Sequence, residues 1–178
     1  QMSTADIRAC LGQQVTLLQG AMKDLRTICM GLFPPVLEQG LDLVVADVVD
    51  RFERQFDLTI EHEVVISKAV GWQASVEVAT AIYRVMGEAL NNVVKHAQTD
   101  RAWVSLTEAN DHLRLEIADN GVGCQEMTLS VPELVRRQHL GLVGMFEWAD
   151  MTRGNLRMVR RQPRGTVVIL EIPLEPYL

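Results

Sequence analysis

Between Ser75 and Ala97 the sequence reads as one long helix whose middle is apolar on every side. A surface helix keeps a polar face, so a helix without one must be buried, here against a sheet. The flanking segments supply that sheet. Ala102 to Glu108 and His112 to Ala118 read as strands separated by Asn110-Asp111, a pair suited to a hairpin turn. Leu156 to Val159 and Thr166 to Ile172 form a second hairpin around Pro163-Arg164-Gly165. Upstream, Leu58 to Ile66 alternates, with Leu58, Ile60, His62, Val64 and Ile66 on one face. Leu41 to Gln55 has helical spacing, with Leu41, Val44, Val45, Val48, Val49 and Phe52 apolar. Gly71-Trp72 reads as a turn, Cys124 to His139 as an irregular polar stretch around Pro132, and Leu142 to Met151 as a helix. Helices cluster early and strands late, and the strands are joined mainly as hairpins. The expected fold class is therefore α+β, a two-layer sandwich, rather than a doubly wound parallel sheet. No glycine fingerprint follows the first strand, which points the same way.

The first thirty residues carry a different pattern. Leu11, Leu18, Leu25 and Leu32 recur every seven residues, and Ile7, Ala21 and Ile28 fill the second apolar position, with Gln14 as the exception. This is a coiled-coil-like seam, expected to meet a partner helix or to pack on its own domain. Pro34-Pro35 ends it. The chain's 178 residues suit one core domain with such an appendage. The opening Gln1 predicts a trimmed end and a fragment of a larger protein. A net charge of -6 without a basic block argues against nucleic acid as the partner. No apolar run approaches membrane-spanning length and no secretory signal is present. Cys10, Cys29 and Cys124 are odd in number and lack metal-type spacing, so a reducing cytoplasm is expected.

Three segments carry the chemistry. On the long helix Glu88 and Asn92 stand one turn apart, with Asn91, Lys95 and His96 beside them. So many hydrogen-bonding groups at one end of an apolar helix exceed what a passive core tolerates. A carboxamide oxygen is a hard ligand suited to Mg²⁺, and a lysine meets phosphate as a point charge. Asp119-Asn120-Gly121-Val122-Gly123 follows the strand ending at Ala118. A turn explains Asp-Asn-Gly, but the second glycine suggests close approach of a ligand. Leu140-Gly141-Leu142-Val143-Gly144 precedes a helix, where free N–H groups suit phosphate. Together the three read as a nucleotide pocket, with an acid for the base, an amide for a metal and glycines for the phosphates. Of the other polar residues, His62 and His112 read as strand and turn residues, His139 as ordering the glycine segment, and Cys124 as a small filler. No Ser/His/Asp set can be assembled, and Trp72, Trp103 and Trp148 are too scattered for a base-stacking platform.

In order and spacing these segments resemble the ATP-binding domain shared by histidine kinases, gyrase, Hsp90 and MutL, over roughly residues 57–174. Glu88 to Asn92 is similar to its N box, Asp119 to Gly123 to its first glycine box, Gly141 to Gly144 to its second, and Gly165-Thr166 to the Gly-Thr entering the last strand. The stretches Tyr83 to Ala97, His139 to Met145, and Leu25-Arg26 with Leu32 to Leu37 resemble the sensor-kinase branch related to nitrate/nitrite sensors and DesK. The resemblance implies that Asp119 accepts from the adenine amino group and that Gly121 and Gly123 let the backbone approach the ring. It implies that Asn92 ligates Mg²⁺, that Lys95 and His96 face the phosphates, and that Gly141, Leu142 and Gly144 present N–H groups to them. Thr166 would support the adenine site, and Glu88 would be the general base assisting an attacking histidine. Cys124 to Gln138 would form a short lid. Residues 1–38 would be the C-terminal part of a dimerisation helical region and 39–178 the catalytic domain. The partners implied are a dimerisation domain bearing the phosphoacceptor histidine, a second copy in the full-length protein, and a response regulator; membrane contact is not expected within this segment.

The sequence departs from the family in three respects. No histidine precedes His62, so the acceptor is expected outside this segment. Phe146-Glu147-Trp148 and Thr152-Arg153-Gly154 replace an Arg-Glu-Arg run and a Gly-Gly pair. The alternatives are a protein serine kinase of the anti-sigma type and a non-catalytic module that has kept the fold. The heptad helix and its Pro-Pro end speak against the first, and the altered residues after Met145 leave the second open.

Overall fold

The computed structural model describes residues 34–124, 131–136 and 139–174. The heptad seam lies outside them. By its contacts the chain divides into Gln1–Pro35 and Val36–Leu178, and the fold described is that of the second unit.

After a 3-10 turn at Pro35–Glu38, helix α1 spans Leu41–Gln55. Its six buried residues are the apolar stripe read from the sequence, Leu41, Val44, Val45, Val48, Val49 and Phe52. Strand β1 follows at Thr59–Val65. Its predicted inward face holds at Leu58 and Ile60 but opens at His62, which is exposed, because β1 is the sheet's edge strand. Glu53 of α1 accepts from the Ile60 N–H at 2.9 Å and so covers part of that edge.

Gly71-Trp72 is not a turn: the segment lies in a short helix, α2, at Lys68–Gln73. Ser67 initiates it, its hydroxyl accepting from Val70 N at 3.3 Å, a cap that outweighs the glycine's helix cost. Helix α3 spans Val76–Asn92 and is buried nearly throughout from Val78 to Leu90. The expected helix to Ala97 changes pitch, since Val93–Ala97 forms a π-turn ending at left-handed Gln98. The wider turn presents the Ala97 carbonyl, which accepts from Val122 N at 2.8 Å.

Strands β2 (Arg101–Ala109) and β3 (His112–Asp119) form the predicted hairpin. Asn110 and Asp111 both have positive φ, as a tight turn of this kind requires. Within the polar stretch expected to be irregular, Val131–Arg136 is a short helix, α4, pinned by fully buried Leu134. Helix α5 spans Leu140–Met151, two residues earlier than the sequence indicates, so Gly141 lies inside it rather than before it. Strands β4 (Asn155–Arg160) and β5 (Thr166–Pro173) close the fold.

The sheet order is β1-β2-β3-β5-β4, with β1 and β2 parallel and the other pairs antiparallel. This is the α+β architecture expected. One face packs on the helices through rows in register: Leu106, Leu115 and Leu170 form one row, and Val104, Ile117 and Val168 the next. The other face is polar, with Arg114 paired to Glu116 and Glu171, and Arg157 to Glu171 at 3.3 Å.

Candidate functional site

The period-two alternation of β3 carries the site. Leu113, Leu115 and Ile117 point to the helix-covered face, and Asp119 is the next residue in that row. Its carboxylate therefore emerges at the end of the core and is only 4% exposed. One oxygen accepts from Gly121 N at 2.7 Å, which holds the group's orientation. A cavity of about 440 Å³ opens in front of it, where the helical layer does not cover the sheet.

The cavity gathers the predicted residues from four elements. Glu88 and Asn92 reach it from α3, Lys95 and His96 from the π-turn, Asp119 and Thr166 from the sheet with Gly123 on the loop that follows Asp119, and Gly141 and Leu142 from α5. Gly121 and Gly144 do not line it. Asp119 is buried beside apolar Ile117, Val168 and Met158, whereas Lys95 and His96 are exposed. The hollow thus grades from an apolar wall with one carboxylate to a basic rim. A flat heteroaromatic ring suits the inner part and an anionic chain the outer part.

The glycines have structural reasons of their own. A Cβ on Gly121 would lie 2.0 Å from the Ala97 carbonyl oxygen, so this glycine lets the loop dock on the π-turn. Gly123 has φ +79° and sits against Gly165. In both cases the backbone approached is the protein's. A Cβ on Gly141 would meet Glu88 Oε1 at 1.9 Å, so the start of α5 lies directly against the Glu88 carboxylate. A Cβ on Gly144 would have nothing within 4 Å.

The N-terminus of α5 faces the cavity without a cap of its own. His139 occupies the N-cap position but makes no side-chain cap hydrogen bond, and the first turn has no acidic residue. Val143 N donates to His139 O at 3.2 Å, so helical bonding starts there. The N–H groups of Leu140, Gly141 and Leu142 precede it and have no intrahelical acceptor. Gly144 stands one residue further into the helix. Thr166 Oγ1 accepts from Cys124 N at 3.2 Å and ties the end of the Asp119 loop to β5.

Sequence reasoning missed the apolar wall. Ile117, Val168 and Met158 look like ordinary strand residues, and only the register that pairs Ile117 with Val168, and Val168 with Met158, makes them one surface. The N-cap position of His139 is also hidden in the sequence, because histidine is a weak helix-start signal.

The family model described as "Histidine kinase-, DNA gyrase B-, and HSP90-like ATPase" matches residues 77–176, which include every residue gathered at the cavity. The chain belongs to this family. Among its relatives, the oxygen sensor histidine kinase NreB of Staphylococcus carnosus is 30% identical over 159 residues, covering 89% of this chain and 44% of that protein. The sensor histidine kinase LiaS of Bacillus subtilis is 28% identical over 160 residues, covering 88% of this chain and 41% of that protein. The chain thus spans less than half the length of these relatives. Among solved structures, the histidine kinase AdeS of Acinetobacter baumannii superposes with a TM-score of 0.57 at 16% identity, over 98% of this chain and 87% of that one. The nucleotide-free catalytic domain of histidine kinase ThkA gives 0.58 at 19%, over 75% and 93%. These structures share the fold, and the sensor-kinase relatives bear out the resemblance read from the motifs.

Proposed function

We propose that this histidine kinase-type ATPase domain binds Mg-ATP and donates the γ-phosphate to a histidine on a dimerisation domain outside the segment. The observation that carries the reading is the buried Asp119 carboxylate, held by Gly121 N and facing a cavity whose far rim is basic. Adenine fits the inner end, its amino group donating to Asp119. The triphosphate then runs toward Lys95, His96 and the open N-terminus of α5.

Among the described residues no group of three or more His, Cys, Asp or Glu is arranged to hold a metal. Asn92 lines the cavity, and its carboxamide oxygen would hold Mg²⁺, which needs few protein ligands when phosphates and water complete its shell. When bound, the ion offsets the charge of the phosphates. Glu88 lines the cavity against the first turn of α5 and would take the proton of an incoming imidazole. In the transfer a P–N bond to that imidazole forms as the P–O bond to ADP breaks. The reading implies a homodimer in the longer protein, a response regulator downstream and a cytoplasmic location. Among the described residues no helix is long and apolar enough to cross a membrane.

Calorimetry with Mg-ATP tests the site. Asp119→Ala is expected to weaken binding about tenfold to a hundredfold, the worth of a buried hydrogen bond to a charged group. Equal affinity in wild type and variant removes Asp119 from purine recognition. Incubation with ATP and a histidine-bearing dimerisation domain tests the chemistry. Acid-labile phosphate on the partner supports histidine transfer, acid-stable phosphate indicates a serine kinase, and binding without transfer indicates an interaction module.

A further inference from the structure

The turn between β4 and β5 presses on the back of the loop that carries Asp119. A Cβ on Gly165, which has φ +110°, would lie 2.0 Å from the Asp119 carbonyl oxygen. Arg161 N donates to Gly165 O at 2.9 Å and closes the turn. Its two arginines then reach the loop. Arg161 Nη1 donates to the carbonyl of Asp119 at 3.2 Å. Arg164 Nε donates to the carbonyls of Asn120 at 2.7 Å and Gly121 at 3.1 Å. Three successive peptide oxygens are thus held by two guanidinium groups.

The grip is itself supported. The Arg161 guanidinium carbon lies over the Trp103 ring, 4.2 Å from its centroid, a contact that restrains the side chain. Trp103 pairs with Ala118 across β2 and β3, so the platform belongs to the same sheet as Asp119. The Thr99 hydroxyl binds the Asn120 side chain. Neither arginine lines the nucleotide cavity; both line a separate hollow with Thr99, Trp103 and Asn120. Arginine suits the task because it stays charged and presents several donors in a fixed plane.

We propose that Arg161 and Arg164 are positioning residues for purine selection. They set the peptide planes at 119–121 from behind, and those planes set the direction of the Asp119 carboxylate. The inference rests on the reading of the cavity as an ATP site. Choosing adenine over guanine depends on that direction, because the carboxylate accepts from an amino group but repels a carbonyl oxygen in the same place. The hold on the triphosphate comes from other elements and does not depend on it. Loss of an arginine therefore degrades the choice between purines more than the grip on phosphate.

The test is the affinity for Mg-ATP and Mg-GTP of wild type, R161A, R164A and R164K, with folding followed by circular dichroism. R161A and R164A are each expected to lose about tenfold in ATP affinity, equivalent to about 1.4 kcal/mol, with GTP affinity changed less than about twofold. In phosphotransfer KM for ATP rises while kcat at saturation is kept, and R164K recovers part of the preference. An unchanged ATP-to-GTP ratio, or an equal loss for both nucleotides, overturns the proposal and leaves the arginines as ordinary turn supports. Arg164 is exposed, so R164A decides the matter alone should R161A fail to fold. Wild type that binds neither nucleotide defeats the ATP-site reading instead, which is a distinguishable result.

Discussion

Two helix starts in this domain are built on opposite principles. Helix α3 begins at Ser75, whose hydroxyl accepts from Val78 N at 3.3 Å, with Glu77 in the first turn. Its chain supplies both the cap and the negative charge that a helix N-terminus favours. Helix α5 begins at His139, which makes no side-chain cap, and it carries no acid in its first turn. Its first residues line a cavity whose rim also holds Lys95 and His96. The first start is completed by the protein. The second has no cap from its own residues, and the carboxylate beside it, Glu88, comes from α3.

The largest effect is expected from giving α5 the cap it lacks. His139→Asp would place a carboxylate where the phosphates are proposed to sit. ATP affinity should fall about tenfold or more, while stability to denaturant rises by about 1 kcal/mol. Opposite signs in the two measurements are the signature of an N-terminus reserved for ligand; a fall in both would break the comparison. Ser75→Ala, the mirror change, should lower stability by about 1 kcal/mol and leave ATP affinity unaltered. A parallel loss of nucleotide binding would mean that the two ends of α3 are coupled.

The smallest effect is a pH dependence at the α3 start. The Glu77 carboxyl is held below its ordinary value of 4.5 by its hydrogen bond to the backbone N–H of Glu77 and by the Ser75 side chain. A depressed folded-state value means that the contribution is complete above about pH 4.5 and fades as pH falls through the lowered value. Denaturant titrations of wild type and Glu77→Gln should differ slightly at neutral pH and converge in acid. A gap that persists unchanged through acid would place Glu77's contribution in packing instead of charge.

Much of the scaffold was legible because its signals are periodic and local. The α1 stripe, the two hairpins and the burial of α3 follow from spacing alone. So does the position of Asp119, since a strand with Leu113, Leu115 and Ile117 inward turns its next odd residue inward as well. The start of α5 was less legible because its N-cap is a histidine, a weak signal beside Ser75. The helix at Gly71-Trp72 was misread because a glycine is a local breaker, while the Ser67 cap that overrides it acts from four residues away.

The sequence by itself determined the polar residues Glu88, Asn92, Lys95, His96, Asp119 and Thr166 and the chain order in which they arrive. Only the tertiary structure decided what each of them meets. Gly121 proves to be a glycine because Ala97 approaches it, and Gly165 because Asp119 does. Arg161 and Arg164 acquire a role through carbonyls that are more than forty residues away along the chain. Periodicity is a property of neighbours in the chain and can be read from it. Contact across a sheet or between two turns depends on where distant segments come to rest, and no local pattern encodes that distance.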